Sequence, residues 1–272
     1  MTTRKQNVQK RDLAFAQRTI TRIWQEQPTE QNPYLAENCR CHGYDLLALA
    51  RERSFFDILF LLFQGELPSK DHAQLLETLM IVLINPGPRH PATRAAMNAG
   101  VGKTDPGHIL PIGLSVLSGD HLGGGEVTAA MKFFRKGMRA APEDLAASLL
   151  AAGEDVCHPF PGFGSCYGGI DPMPGKAADL LCALPGSGKA LHWGTRFAKA
   201  LQPHSMGWLT AGVAAAVYCD LAFLPRAGAG LFQLMCAPGL LAHGLEVANK
   251  PITAMPFLDE DHYVIEPEAR KR

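Results

Sequence analysis

The chain has 272 residues, with 26 Lys+Arg balanced by 26 Asp+Glu and 47% hydrophobic residues. Zero net charge excludes a nucleic-acid binder held by a basic face, and so high an apolar fraction excludes a disordered chain. The length is enough for one large domain or two small ones. Seven scattered cysteines form no even framework, so reduced thiols in a cytoplasmic protein are expected. The first residues, MTTRKQNVQKRDLAFAQ, lack the apolar core of a secretory signal, which agrees with that expectation.

Helical spacing dominates from Gly43 onward. Leu46, Leu47, Leu49, Ala50, Ile58, Leu59, Leu61 and Leu62 recur at intervals of one, three and four, which predicts a buried helix pair over 43–64. Ser54 is placed to cap the second helix, with Asp57 in its first turn. GELPS at 65–69 is a stop followed by a new cap at Ser69, and the next helix, 70–84, ends at PGPRHP. Further helices are predicted near 91–100, 107–118, 123–140, 142–153, 174–183, 188–201, 206–223, 226–236 and 238–248. β-branched residues are sparse and no clean period-two run appears, so the fold class is all-α. Met206–Leu224 is 19 residues long, close to the ~20 apolar residues of a membrane span. Its Ala and Gly content, its Asp220 and the Pro225-Arg226 end predict a buried helix of a soluble core, with no membrane partner. The Pro/Gly-dense stretch 159–175 is the most unusual segment, and a long irregular loop inside a domain is more often functional than accidental.

Several strings look like chemistry. GVGKT at 100–104 resembles the end of a phosphate loop, but Met97 stands where that motif needs glycine. GSGK at 186–189 continues with Ala190, so the metal-binding hydroxyl is missing. Both read as helix-terminating turns. GFGSCY at 162–167 fits neither a dinucleotide loop nor a nucleophile elbow. Cys39, Cys41 and His42 offer soft ligands, with Cys157-His158 as the only second pair; that distant spacing predicts ordinary thiols and no metal. His90, beside Arg89 and four residues before Arg94, is read in two ways: cations at a turn that hold a carboxylate, or a charged exposed turn. Asp120–Glu126, with three consecutive glycines, also has two readings. It is either a helix start presenting N–H groups to an anion or a developing enolate, or a close helix crossing at glycine.

Four segments together resemble the citrate synthase superfamily. They are GYDLLALARERSFFDILFLLFQGELPS (43–69), LSGDHLGGGEV (117–127), PGFGSCYGGIDP (161–172) and LLAHGLE (240–246) followed by Lys250-Pro251. They run in the family's order over most of the chain, and the short length with the Gly-Asp-x-x-Gly-Gly arrangement is closer to the citryl-CoA lyase branch. The resemblance implies a homodimer with a large helical domain, 1–127 with 225–272, and a smaller CoA-binding domain, 128–224. It implies that the backbone of Gly162, Phe163 and Gly164 faces CoA, which acts as substrate rather than as a permanently bound cofactor.

The resemblance also implies a chemistry of three side chains: a His stabilising the thioester enolate, a second His at the keto or hydroxy acid, and an Asp removing the acyl α-proton. Those positions fall here on Leu122, Ser165 and Ala211, and two family arginines fall on Cys236 and Met173. A thioester α-proton is weakly acidic, so base and enolate stabilisation must cooperate, and losing members of a cooperating set costs orders of magnitude. Two expectations follow. In the first, a rebuilt site makes or breaks a C–C bond between an acyl-CoA and a di- or tricarboxylate. His121, Ser165 and Asp171 are then its catalytic candidates, and His90, Arg94 and Lys250 hold carboxylates. In the second, the chain is a non-catalytic dimer that acts as a ligand sensor or partner subunit.

Overall fold

The computed structural model describes residues 18–151, 160–256 and 258–266, and these divide into two compact units, one ending at Leu67 and one beginning at Pro68. The fold is all-α in class, with eleven helices among the described residues.

The first unit opens on strands that the sequence pattern did not predict. β1 (Trp24–Pro28) pairs antiparallel with β2 (Ala36–Cys41), and β2 with β3 (Tyr44–Asp45). β1 is exposed along its whole length, so no alternation of apolar and polar residues marks it. The β2–β3 turn is His42-Gly43, both with positive φ (46° and 88°), the signature of a two-residue type I′ hairpin. α1 (Leu46–Glu52) and α2 (Phe55–Gln64) follow. Ser54 and Asp57 form the capping box expected of α2, and Gly65 ends the helix in the left-handed conformation. Cys41, Leu49 and Leu61 form the buried centre of this unit, with Ile58 and Leu67 against it.

The second unit carries α3 (Lys70–Leu83), α4 (Pro91–Val101), α5 (Pro106–Leu117), α6 (Gly124–Gly137), α7 (Pro142–Ala151), α8 (Pro172–Cys182), α9 (Lys189–Leu201), α10 (Thr210–Asp220) and α11 (Pro225–Ala248). Two-residue strands β4 (Phe163–Gly164) and β5 (Gly207–Trp208) pair between them. Ser69 caps α3 as expected. Ala211 to Tyr218 are all buried, so α10 is an internal helix packed against α3, α6 and α9. α11 is long and apolar enough, by length and composition, to cross a membrane; in this fold it packs on α3, α4, α5 and α6.

Two predicted helices, 226–236 and 238–248, are one continuous helix with Pro238 inside it. Proline normally breaks a helix because it lacks the N–H and crowds the preceding turn. Here the next N–H, of Gly239, donates outward to the carbonyl of Ile84 at 2.9 Å. The disturbed turn of α11 is thereby anchored on the end of α3. Asp220 is spent locally as well: its carboxylate accepts the N–H groups of Gly188, Ala190 and Leu191 at 3.1, 2.7 and 3.0 Å, capping α9. Burial holds that carboxyl above its ordinary range although the three N–H bonds pull it down. GVGKT is a helix-ending turn, as expected: Gly102 caps α4, and Lys103 donates to the carbonyls of Ala248 and Lys250 at the end of α11.

The Pro/Gly-dense segment is pinned by aromatic packing. Phe163 stacks on Trp208 with ring centroids 4.5 Å apart and meets Phe197 of α9 at 4.8 Å. Such pairs contribute about 0.5–1.5 kcal/mol each beyond their buried area. Gly162, with φ +85°, sits against Gly212 so tightly that a Cβ on Gly212 would lie 2.0 Å from the Gly162 carbonyl oxygen. Only glycine at both positions lets this loop lie on α10.

Candidate functional site

A cleft of about 1170 Å3 opens within the second unit. Its walls come from the end of α3, the turn before α4, the turn before α6, the loop 166–171, the start of α8, α10 and α11. Among the lining residues are Leu122, Ala211, Cys236 and Met173. Four of the five positions at which the resemblance expects other side chains thus share one cavity, and Ser165 is the one outside it.

Leu122 is the most constrained of them. It lies in the left-handed region at φ +55°, where a Leu is rare because its Cβ crowds the following carbonyl. Its N–H donates to the carboxylate of Glu126 at 2.7 Å, and its carbonyl meets Nε2 of His90 at 3.0 Å. Glu126 is buried, and its other oxygen accepts the N–H of Gly162 at 3.3 Å. One carboxylate therefore joins the turn before α6 to the loop before β4. This residue carried no role in the sequence reading. Its signal was present: an acid three positions after the helix-starting Gly123 is placed to reach back toward free N–H groups.

His90 lines the cleft as the N-cap of α4. Its Nδ1 accepts the N–H of Ala92 at 3.1 Å, so the ring proton sits on Nε2 and is donated to the Leu122 carbonyl. Burial lowers its pKa, with the nearby charge of His121 acting in the same direction and the bond to Leu122 opposing both. The ring is a neutral strut whose two nitrogens are both engaged.

The other candidates are dispersed. Asp171 lines the cleft and caps α8, accepting the N–H of Met173 at 2.9 Å. Ser165 is exposed and outside the lining, whereas its neighbour Cys166 is in it. His121 and Arg94 are exposed and do not line the cleft. Lys250 also lies outside it, 3.9 Å from Glu246. Gly162, Phe163 and Gly164 are all buried, the last two are paired with β5, and none of the three is among the residues lining the cavity. Asp220, the only acid on α10, faces the α9 terminus. Cys39, Cys41 and His42 lie on the β2–β3 hairpin, and Cys157-His158 falls outside the described residues. Among the described residues no group of three His, Cys, Asp or Glu side chains could hold a metal ion.

Charge in the lining comes from Arg89, which the sequence placed in the cation cluster at the turn before α4, from Lys176, which sequence reasoning did not single out as a ligand, and from Asp171. Tyr167 and Gly168 both have positive φ and turn the hairpin closed by Cys166 and Gly169. The Tyr167 hydroxyl approaches the Arg89 carbonyl at 3.5 Å. The two lining thiols are poor nucleophiles: burial pushes Cys236 up to about 12, and burial with the charges of Asp171 and Glu126 raises Cys166.

This architecture is the citrate-synthase-like all-α fold. Citryl-CoA lyase from Hydrogenobacter thermophilus superposes with a TM-score of 0.75 and 24% identity, over 93% of this chain and 96% of that one. ATP citrate lyase from Methanothrix soehngenii, solved with citrate and coenzyme A, gives 0.69 and 17%, over 93% of this chain and 44% of that much longer one. Citrate synthase from Thermoplasma acidophilum, in a ternary complex with carboxymethyl coenzyme A and oxaloacetate, gives 0.60 and 21%, over 80% and 58%. No protein-family model and no curated protein matches the chain by sequence.

Proposed function

We propose that the cleft binds a CoA thioester together with a small di- or tricarboxylate, and that the chain acts as a ligand-binding member of this fold, a sensor or partner subunit, without the condensation or cleavage chemistry. The observation that carries this reading is the wall of the cleft. Leu122 and Ala211 occupy it where the resemblance calls for a proton carrier, and the adjacent imidazole of His90 has both nitrogens committed. Arg89 and Lys176 supply the positive charge that an anionic ligand needs. The neighbouring structures solved with citrate, oxaloacetate or CoA derivatives support the choice of ligand class. In this reading residues 1–127 with 225–272 form the large domain, 128–224 the CoA-binding one, and two copies pair.

Asp171 favours a second reading, a C–C lyase or synthase with a rebuilt site, because it is the one carboxylate in the lining. Its carboxylate is already engaged as the N-cap of α8, where it accepts the N–H of Met173. Calorimetric titration with CoA, acetyl-CoA and citrate, followed by mass analysis of the mixtures, separates the two. Saturable binding with no new acyl product supports the sensor. A product whose formation is lost in Asp171→Asn supports the enzyme. No binding of any of the three ligands removes both.

A further inference from the structure

Exposure sorts the walls of the cleft into two kinds. The charged lining residues, Arg89, Asp171 and Lys176, are all exposed. The lining residues that are fully buried are all apolar, among them Leu83, Ala211, Val213, Phe232 and Cys236. Leu122 and Val82, both half-buried, extend the same apolar surface. A polar acyl group placed against this surface would have to shed its hydration with no charged side chain buried there to replace it. An acetyl group would leave most of the surface in contact with water. The neutral state of the Cys236 thiol, which burial enforces, is consistent with a dry chamber.

We propose that the buried part of the cleft receives the apolar acyl group of a medium-chain or branched acyl-CoA, with the ligand's anionic groups held by Arg89 and Lys176. This rests on the CoA-thioester reading above and names its acyl class. Leu122 and Phe232 are its specificity residues: each contributes apolar surface that a longer chain covers and a shorter one does not.

The test is calorimetric titration of the full chain with CoA, acetyl-CoA, butyryl-CoA, hexanoyl-CoA and, as a polar control, malonyl-CoA; free hexanoate and octanoate form a separate arm. Affinity is expected to rise by about fourfold per added methylene, the value of burying one CH2, and malonyl-CoA is expected to bind no better than acetyl-CoA. Leu122→Asn is expected to flatten the chain-length dependence, and Asn accepts the left-handed turn more readily than Leu. Phe232→Leu, a conservative enlargement of the chamber, should move the preferred chain length upward. Thioesters that bind with no dependence on acyl length, or malonyl-CoA binding tightest, would overturn the acyl assignment and leave the CoA reading standing. Octanoate binding without any thioester binding would remove the CoA reading and keep the apolar chamber. Absence of binding in both arms would remove both.

Discussion

The backbone N–H of Leu122 reaches the buried carboxylate of Glu126 at 2.7 Å, and it does so from a left-handed conformation. A non-glycine residue held there carries about 1–3 kcal/mol of strain and persists only where its surroundings over-determine it. Here they do, through Glu126 on the N–H and His90 on the carbonyl. The turn that shapes the cleft is thus held by Glu126, which stands outside the lining, and by His90, which is part of it.

Glu126→Ala should be costly. Two N–H groups, of Leu122 and Gly162, lose their acceptor at a buried site, which amounts to about 2–4 kcal/mol in total. Glu126→Gln keeps one oxygen acceptor and should lose less than half as much. Urea unfolding of the two variants beside the parent chain reads the difference. Equal stability of all three would mean that the carboxylate does not hold the turn.

The His90 imidazole predicts a pH dependence of defined sign. Burial lowers its folded-state pKa below the ordinary value near 6.5, so the unfolded chain takes up the proton first as pH falls. Stability contributed by neutral His90 is therefore intact above about pH 6.5 and is lost progressively below it. His90→Asn keeps an N-cap for α4 but cannot titrate. The stability difference between the parent and this variant should narrow between pH 7.5 and 5.5, measured by thermal or urea unfolding. A difference that is constant across that range would remove His90 as the titrating group.

Much of this fold could be read before the structure, and what could not has physical causes. Local punctuation was legible where one residue type does one job: the Ser54–Asp57 box, the Gly65 stop and the Ser69 cap all act within a few residues. β1 escaped notice because an exposed strand needs no alternating pattern, and β2 because its burial rises along its length instead of alternating, although His42-Gly43 is a hairpin turn that could have signalled them. Pro238 read as a break because its rescue, the Gly239 bond to Ile84, comes from a helix more than 150 residues earlier in the chain. The same limit applied to the cleft. Leu122, Ser165, Ala211, Met173 and Cys236 were identified as departures from a family pattern, and the structure gathers all but Ser165, but the role of Glu126 depends on Gly162, a partner distant in sequence.

Asp220 is the acid that the sequence offered on α10, and its use as a cap predicts stability effects without effects on ligand. Asp220→Ala leaves the N–H groups of Gly188, Ala190 and Leu191 without their acceptor. Loss of such a cap with partly buried donors should cost about 2–3 kcal/mol. Titration of the surviving folded protein with a CoA thioester should give the parent affinity. A weakened affinity at unchanged fold would show that Asp220 communicates with the cleft.

The two helices that close the unit make opposite predictions for the same substitution. In α10, Gly212→Ala would set a methyl group 2.0 Å from the Gly162 carbonyl oxygen and within 2.8 Å of its Cα, contacts that backbone must move to relieve. The variant should lose about 3 kcal/mol or more, or fail to fold, because neither partner is a flexible side chain. In α11, Gly230 is exposed, helical, and has nothing within 4 Å of where a Cβ would stand. Gly230→Ala removes unfolded-chain freedom without a clash and should add about 0.5–1 kcal/mol. Comparing the two melting temperatures tests the packing of the loop on α10 against an internal control. A Gly212→Ala protein as stable as its parent would show that the loop before β4 does not lie on that helix.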